Sequence, residues 1–413
     1  MLNLQVLTKD FTVSRRKIIA STLLISGALA WFFLINQYIV DIFMGITPNE
    51  PLSNNYFNLG QGLFYGFAII SAIIGSFIRK TTSRRKLLLT WILLGIFSTI
   101  LLTLSQGLIF LIISSTLLGI SFGWGLPISI AFLADCTAVE ERARLSGIVI
   151  LTTFIFAFII LAVIRTLSLG LLDAIYLFAF VRLTSILALV VGNCDARDHK
   201  KIILPNLPKG VYKEFLLYFF PFIMFCIAAG LAFNLIPDTP EYESARSLGN
   251  SFRYVFIAVF GLASGVIADR IGRKQPIIVG LIMLGVSFML LGFSMSWLSV
   301  VFYLATSGIA WGLFFVIFLA IPGDLSVSGS REKFYALMFI LPFSVLLGLS
   351  AIPGWAIFSD SGSSISQLFS LFLFLSIIPI LLAKETLPVE KVRDRKMKEH
   401  LENIEKLIKE NRD

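Results

Sequence analysis

The chain has 413 residues, of which 57% are hydrophobic and 14% charged, and its mean hydropathy is +0.89. Soluble globular chains carry about 25% charged residues, so this one is not built for water alone. The net charge of +9 could suggest nucleic acid, but all except four of the 34 Lys and Arg fall in clusters between apolar runs. If those runs alternate across a bilayer, every cluster lies on one side. That is the positive-inside pattern. It places both termini in the cytoplasm, makes the basic balance a matter of topology, and implies the cytoplasmic membrane and no nucleic-acid partner.

The opening Ser14-Arg15-Arg16-Lys17 before an apolar run imitates a secretory or twin-arginine signal. The run continues through Trp31 to Ile35, too long for a signal core, so the bases are read as the anchor of a first spanning helix. Runs of membrane-spanning length, about 20 residues, recur near 18–41, 56–78, 87–105, 107–133, 145–166 and 171–192. They resume near 214–236, 251–268, 275–294, 297–321, 334–358 and 364–383. The expected fold is therefore an all-α integral membrane protein with twelve transmembrane helices. A charged, proline-broken stretch divides it into a six-helix unit (1–192), a cytoplasmic loop (193–213), a second six-helix unit (214–383) and a cytoplasmic tail (384–413).

The halves repeat one another. Gly119, Ile120, Gly123, Asp135 and Arg142 correspond to Gly308, Ile309, Gly312, Asp324 and Arg331 at a constant offset of 189, and Gly75 corresponds to Gly265 at 190. Register held across half a chain is hard to obtain from composition alone, and it predicts two parallel six-helix pseudo-repeats.

Intramembrane polar groups are costly and so are functional suspects. Arg182 falls near the middle of the sixth run, where a guanidinium reaches neither surface. It either anchors an anionic or polyhydroxyl substrate or pairs with a neighbouring helix. Asn36, Gln37 and Asp41 share the outer part of the first run, and Asn234 sits at a comparable depth in the seventh. Trp124 and Trp311 are aromatic candidates for the same cavity, with packing or a lipid-facing position as the alternative. Arg165 and Asp173 flank a short outer turn and are expected to pair, while Arg253 is placed to snorkel. No acid lies near the middle of any expected helix, which argues against an obligate cation substrate and leaves proton coupling through Asp41 open, with no residue pattern in its favour.

Gly265-Val266-Ile267-Ala268-Asp269-Arg270-Ile271-Gly272-Arg273-Lys274 joins the eighth and ninth runs. It resembles the signature loop of the major facilitator superfamily, G-x-x-x-D-R-x-G-R-K, at every fixed position. The resemblance covers roughly residues 15 to 388 and implies a substrate site between the two halves, lined by the first, fourth, seventh and tenth helices. It also implies a cytoplasmic gate of Gly265, Asp269, Arg270, Gly272, Arg273, Arg142 and Arg331. There Asp269 would accept amides near Leu145 to Gly147 and pair with Arg331. The first-half copy departs, with Arg79 where the acid belongs and Arg84-Arg85-Lys86 one residue late, so a one-sided gate is expected. Lys384-Glu385-Thr386-Leu387-Pro388 resembles the P-E-T ending of sugar and organic-ion porters, with Lys for the first Pro. Drug–proton antiporters carry an Arg where this chain has Ser115, and a Gly-Pro motif absent from 147–164, which weakens that reading.

The odd cysteine set (Cys136, Cys194, Cys226) has no metal-like spacing, and His199 and His400 are both cytoplasmic. Neither a metal nor a cofactor is expected. A G-x-x-x-x-G-K-[ST] loop is absent, so ATP does not drive the protein directly. The tail after Lys391 carries an apolar stripe (Met397, Leu401, Ile404, Ile408) that reads as a cytoplasmic surface helix rather than a dimerising coil. The expected activity is non-enzymatic: a monomeric secondary transporter for a small neutral or anionic organic solute, with a coupling proton or ion left open. The alternatives are drug or metabolite efflux by proton antiport, or a non-transporting receptor on the same fold.

Overall fold

A computed structural model describes residues 13–46, 54–78, 83–104, 106–192, 210–232, 235–236, 240–350, 362–388 and 397. The first half holds α1 (Arg15–Gln37, continued after Tyr38 by Ile39–Ile46), α2 (Asn54–Ile78) and α3 (Arg84–Leu101). It is completed by α4 (Leu108–Gly123 and Leu126–Cys136), α5 (Val139–Thr166) and α6 (Leu171–Val191). The second half holds α7 (Val211–Ala232), α8 (Pro240–Ile271), α9 (Lys274–Phe293) and α10 (Trp297–Leu325). It ends with α11 (Arg331–Tyr335, Ala336–Ile340 and Leu341–Ser350) and α12 (Gly362–Leu375 and Ile377–Leu382).

Among the described residues ten of these helices are long and apolar enough to cross a membrane. The other two are α3, whose first turn is Arg84-Arg85-Lys86, and the broken α11. Each of the twelve expected runs has its helix.

Several boundaries differ for local reasons. In α4 the helix breaks at Trp124–Gly125, because Pro127 in the first turn of the second segment offers no N–H to the preceding turn. In α11 a π turn runs from Ala336 to Ile340, closed by the Leu341 amide on the Ala336 carbonyl. Pro342 follows and cannot accept the α-helical register, so the turn widens. α8 starts eleven residues before the expected 251, since Pro240 to Asn250 continue as helix beyond the apolar run, with Glu241 and Glu243 exposed in its first turn. The loop at 193–209, the acid-position Arg79, the cavity candidate Asn234, and Cys194, His199 and most of the tail lie outside the described residues.

Packing follows the sequence repeat. α2 lies on α4 as α8 lies on α10; α1 lies on α6 as α7 lies on α12; α3 and α9 face α6 and α12. The repeated glycines set these distances. A Cβ on Gly119 would meet the Phe64 carbonyl at 2.3 Å, and one on Gly308 the Arg253 carbonyl at 2.6 Å, so the helix pairs approach backbone to backbone. The halves meet through α5 against α8 and α10, and through α2 and the second segment of α4 against α11.

Candidate functional site: two charge seals and an aromatic floor

The basic end of the bundle is closed by two related clusters of buried charge. In the larger, Asp269 at the end of α8 accepts the amides of Ala143 (3.2 Å) and Arg144 (2.8 Å) in α5 of the other half. Arg273 binds its carboxylate at 2.6 Å, and the Arg144 side chain does so at 3.3 Å. Arg273 also donates to the Val139 carbonyl at 2.6 Å. The Asp269–Arg273 pair thus grips an amide and the carbonyl four residues before it on one helix.

Gly265 has its Cβ position 2.5 Å from the Ala143 carbonyl, and Gly272 turns the chain at φ 126°, which a side chain would resist. Asp324 completes the cluster: Arg273 reaches it at 3.1 Å, Arg142 crosses from α5 to it, and the Thr386 hydroxyl donates to it at 3.1 Å. Burial alone would lower the Arg273 guanidinium, but the Asp324 and Asp269 carboxylates outweigh it and hold the group above its ordinary value.

The smaller cluster is the same arrangement shifted by 189 residues. Asp135 at the end of α4 binds Arg84 of its own half and Arg331 of the other, and Glu332 adds a contact to Arg84 at 3.3 Å. Two expectations are corrected here. Arg331 pairs with Asp135, not Asp269, because each of the repeated arginines crosses to the acid that ends the opposite half's fourth or tenth run. The ion-pair arrangement is also two-sided rather than one-sided, since Arg84 stands 189 residues before Arg273 and pairs with Asp135 as Arg273 pairs with Asp324. The glycine offset of 190 had hidden that register. The amides held by Asp269 are those of Ala143 and Arg144, earlier in α5 than 145–147. Arg270 is exposed.

Beyond the seals, the halves meet on aromatic rings. Phe33 of α1 lies 5.0 Å from Phe154 of α5 and edge-on to Phe315 of α10 at 5.9 Å. Phe343 of α11 lies 5.5 Å from Phe32 and 5.6 Å from Phe315. On the far side of this floor Gln37 accepts a hydrogen bond from Tyr254 of α8 at 2.9 Å, across the two halves. A cavity of about 30 Å³ lies beside that bond, against Phe33, Phe154 and α5. Trp311 packs edge-on to Phe225 and 5.0 Å from Phe315, with the Arg253 guanidinium 5.9 Å from its ring.

The remaining candidates disperse. Asn36 is held within its own half by the Tyr65 hydroxyl at 2.6 Å. Asp41 is exposed on the short helix after Tyr38. Trp124 stands at the break in α4 against Gly75 of α2, its indole N–H buried and unpartnered. Arg182 is fully buried inside the first half, 3.8 Å from the Trp91 ring and 5.4 Å from Trp31, and no described residue accepts a hydrogen bond from it. It faces neither the other half nor an acid. Arg165 and Asp173 are both exposed and unpaired with each other, and Arg253 lies against Trp311 rather than extending to a surface. Among the described residues no group of His, Cys, Asp and Glu could hold a metal.

No family model matches the chain. No curated protein matches it in sequence. Solved structures do match, over nearly the whole length. The human organic anion transporter MFSD10 (TETRAN) superposes with a TM-score of 0.67 at 15% identity, covering 89% of this chain and 99% of its own. The major facilitator superfamily transporter FucP in its outward conformation gives 0.69 at 12%, covering 90% and 100%. The proton:xylose symporter XylE, bound to 6-bromo-6-deoxy-D-glucose, gives 0.67 at 14%, covering 92% and 98%. At these identities the likeness is one of fold: the chain adopts the major facilitator architecture.

Proposed function

We propose that this protein is a secondary transporter that carries a small organic solute, neutral or anionic, across the cytoplasmic membrane by alternating access. The observation that carries the reading is the pair of seals. Among the described residues, two ion-pair clusters related by the internal repeat tie the halves together at the basic end, while on the far side the bond between them is that donated by the Tyr254 hydroxyl to Gln37. Buried ion pairs are good latches because they are all-or-none: whole, they balance their desolvation, and broken, they leave an uncompensated charge. Two packed halves with such a latch have two discrete arrangements, which is what rocking about a central site requires. The positive-inside pattern puts the sealed end in the cytoplasm. The three similar folds are transporters by their own descriptions, of an organic anion and of xylose among them. Those solutes support an organic cargo, and Asp41, exposed after Tyr38 in α1, is the acid we assign to a coupling proton if there is one.

The test is a pair of distances. Spin labels at Lys86 and Ile271 report the basic end, and labels at Leu167 and Leu298 the far end, all four being exposed. Asp324→Asn should lengthen the first distance and shorten the second. A static receptor would show neither change, and the transporter reading would then be dropped.

A further inference from the structure

We infer, building on the transporter reading, that the two halves open the basic end unequally: α4 bends at Trp124–Gly125 and swings its second segment with Asp135, while α10 moves as one rod. The 189-residue register sets the two helices beside each other position by position. Trp91 of α3 corresponds to Gly280 of α9, and Gly125 of α4 to Phe314 of α10. Each half thus places one ring and one glycine at this helix contact, but on opposite helices. In the second half the ring stands on α10, and a Cβ on Gly280 would come 3.1 Å from Phe314. In the first half the ring is Trp91, buried on α3, and a Cβ on Gly125 would overlap it. The glycine therefore falls on the gate helix in one half and on its neighbour in the other. Pro127 adds to the difference, since its counterpart is Val316, which has the N–H that proline lacks.

The helices respond accordingly. α10 runs unbroken from Trp297 to Leu325, with Pro322 only in its last turn, whereas α4 stops at Gly123 and resumes at Leu126. Pro127 offers no amide to the Gly123 carbonyl, and the Ser121 carbonyl accepts the Trp91 indole N–H. Helices bend sharply at such interruptions. The Arg182 guanidinium, 3.8 Å from the same ring, braces it, so the fixed point of the bend belongs to α3 and α6. The segments on either side have different neighbours. Leu108–Gly123 lies on α2 and α3 of its own half. Leu126–Cys136 faces α11 and α10 of the other half as well as α1, and Arg331 holds its Asp135 across the interface. Arg84, the first residue of α3, binds the same carboxylate through a long side chain that can follow it. When the larger seal breaks and the halves part, Arg331 draws the second segment after it while Trp91 keeps the break in place.

Distances within one half separate bending from rigid rotation, because a half that turns as a body keeps its internal distances. In the full-length protein in lipid nanodiscs, with Cys194→Ser and Cys226→Ala, spin labels on Cys136 and Val190→Cys join the end of α4 to α6. With Cys136→Ser added, labels on Leu325→Cys and Ile378→Cys join the end of α10 to α12 in the same way. Cys136 and Leu325 are half-buried, and Val190 and Ile378 are exposed. The second segment of α4 has 11 residues, a lever of about 15 Å, so a bend of about 20° carries Cys136 about 5 Å. Asp269→Asn, which releases the Ala143 and Arg144 amides, should change the first pair by about that much and leave the second unchanged. Asp324→Asn is the second trigger for the first pair if Asp269→Asn folds poorly. Pro127→Ala returns an amide to the Gly123 carbonyl and should shrink the change, whereas Val316→Ala at the matching place in α10 should not. An unchanged first pair, equal changes in both pairs, or a change that Pro127→Ala leaves intact would each overturn the inference. The Lys86–Ile271 distance in the same variants tells whether the halves have parted. If it lengthens while the first pair stays fixed, the hinge falls and the transporter reading stands; if it stays fixed too, both fall.

Discussion

Arg182 shows what a single residue can and cannot disclose from sequence. Its depth followed from counting along the sixth run, but its direction did not. α6 is apolar all round, so nothing in the pattern says which neighbours a side chain at position 182 meets. In the structure those neighbours are Trp91, Trp31 and the notch at Gly95, where a Cβ would come within 2.6 Å of the Arg182 Nε. Desolvated cation–π contacts are worth about 2 kcal/mol or more, which offsets part of the cost of burying a cation without an acid. Two outcomes follow. Arg182→Met, which fills similar space without the charge, should raise the thermal midpoint in detergent and leave ligand binding unchanged; lost binding with an unchanged midpoint would return Arg182 to the substrate site. Gly95→Ala should lower the midpoint, because its Cβ would push into the guanidinium wedged there between Trp91 and Trp31.

At the scale of elements, the seals were legible only in part. The signature loop and the 189-residue register of Asp135, Arg142, Asp324 and Arg331 were visible, and they named most of the residues now found in contact. The pairing was not visible, because ion pairs between halves depend on how α4, α5, α10 and α11 abut, which no spacing within one run encodes. Glu385 is a further case. It accepts the Arg273 amide at 2.8 Å and the Lys274 amide at 3.2 Å, capping the start of α9 from the segment after α12.

The two clusters differ in burial: the Asp324 side chain is 0% exposed and that of Asp135 18%. Solvent stabilises the smaller cluster's charges when it breaks, so its loss should matter less. Cys136, next to Asp135 and half-buried, is a native reporter of this end. In a Cys194→Ser background, maleimide should modify Cys136 faster in Asp324→Asn and Asp269→Asn than in Asp135→Asn, with the parent slowest. Equal rates in all four proteins would mean that the clusters do not hold the end closed.

For the whole molecule, helix number and the two-fold repeat could be read because each rests on a long-range average: run length, and register over half the chain. The aromatic floor could not. In lipid the outward face of a helix is as apolar as the inward one, so Phe154, buried at the interface, and Phe158, 61% exposed one turn later on α5, look alike in sequence.

The same reasoning predicts how the halves associate. They are joined by α5 on α8 and α10, by α2 on α11, and by buried ion pairs. Charges so enclosed are poorly screened by salt, and the apolar part of the interface is indifferent to it. If the chain is cut within 193–209 and the pieces are expressed together, they should copurify in low and high salt alike. Replacing Asp135, Asp269 and Asp324 together by Asn should strip most of the ionic part and leave the rings, so association should weaken without vanishing. Dissociation of the unmutated halves on adding salt would show that exposed charge, not the buried seals and rings, is what joins them, and with it the two-state latch would lose its physical basis.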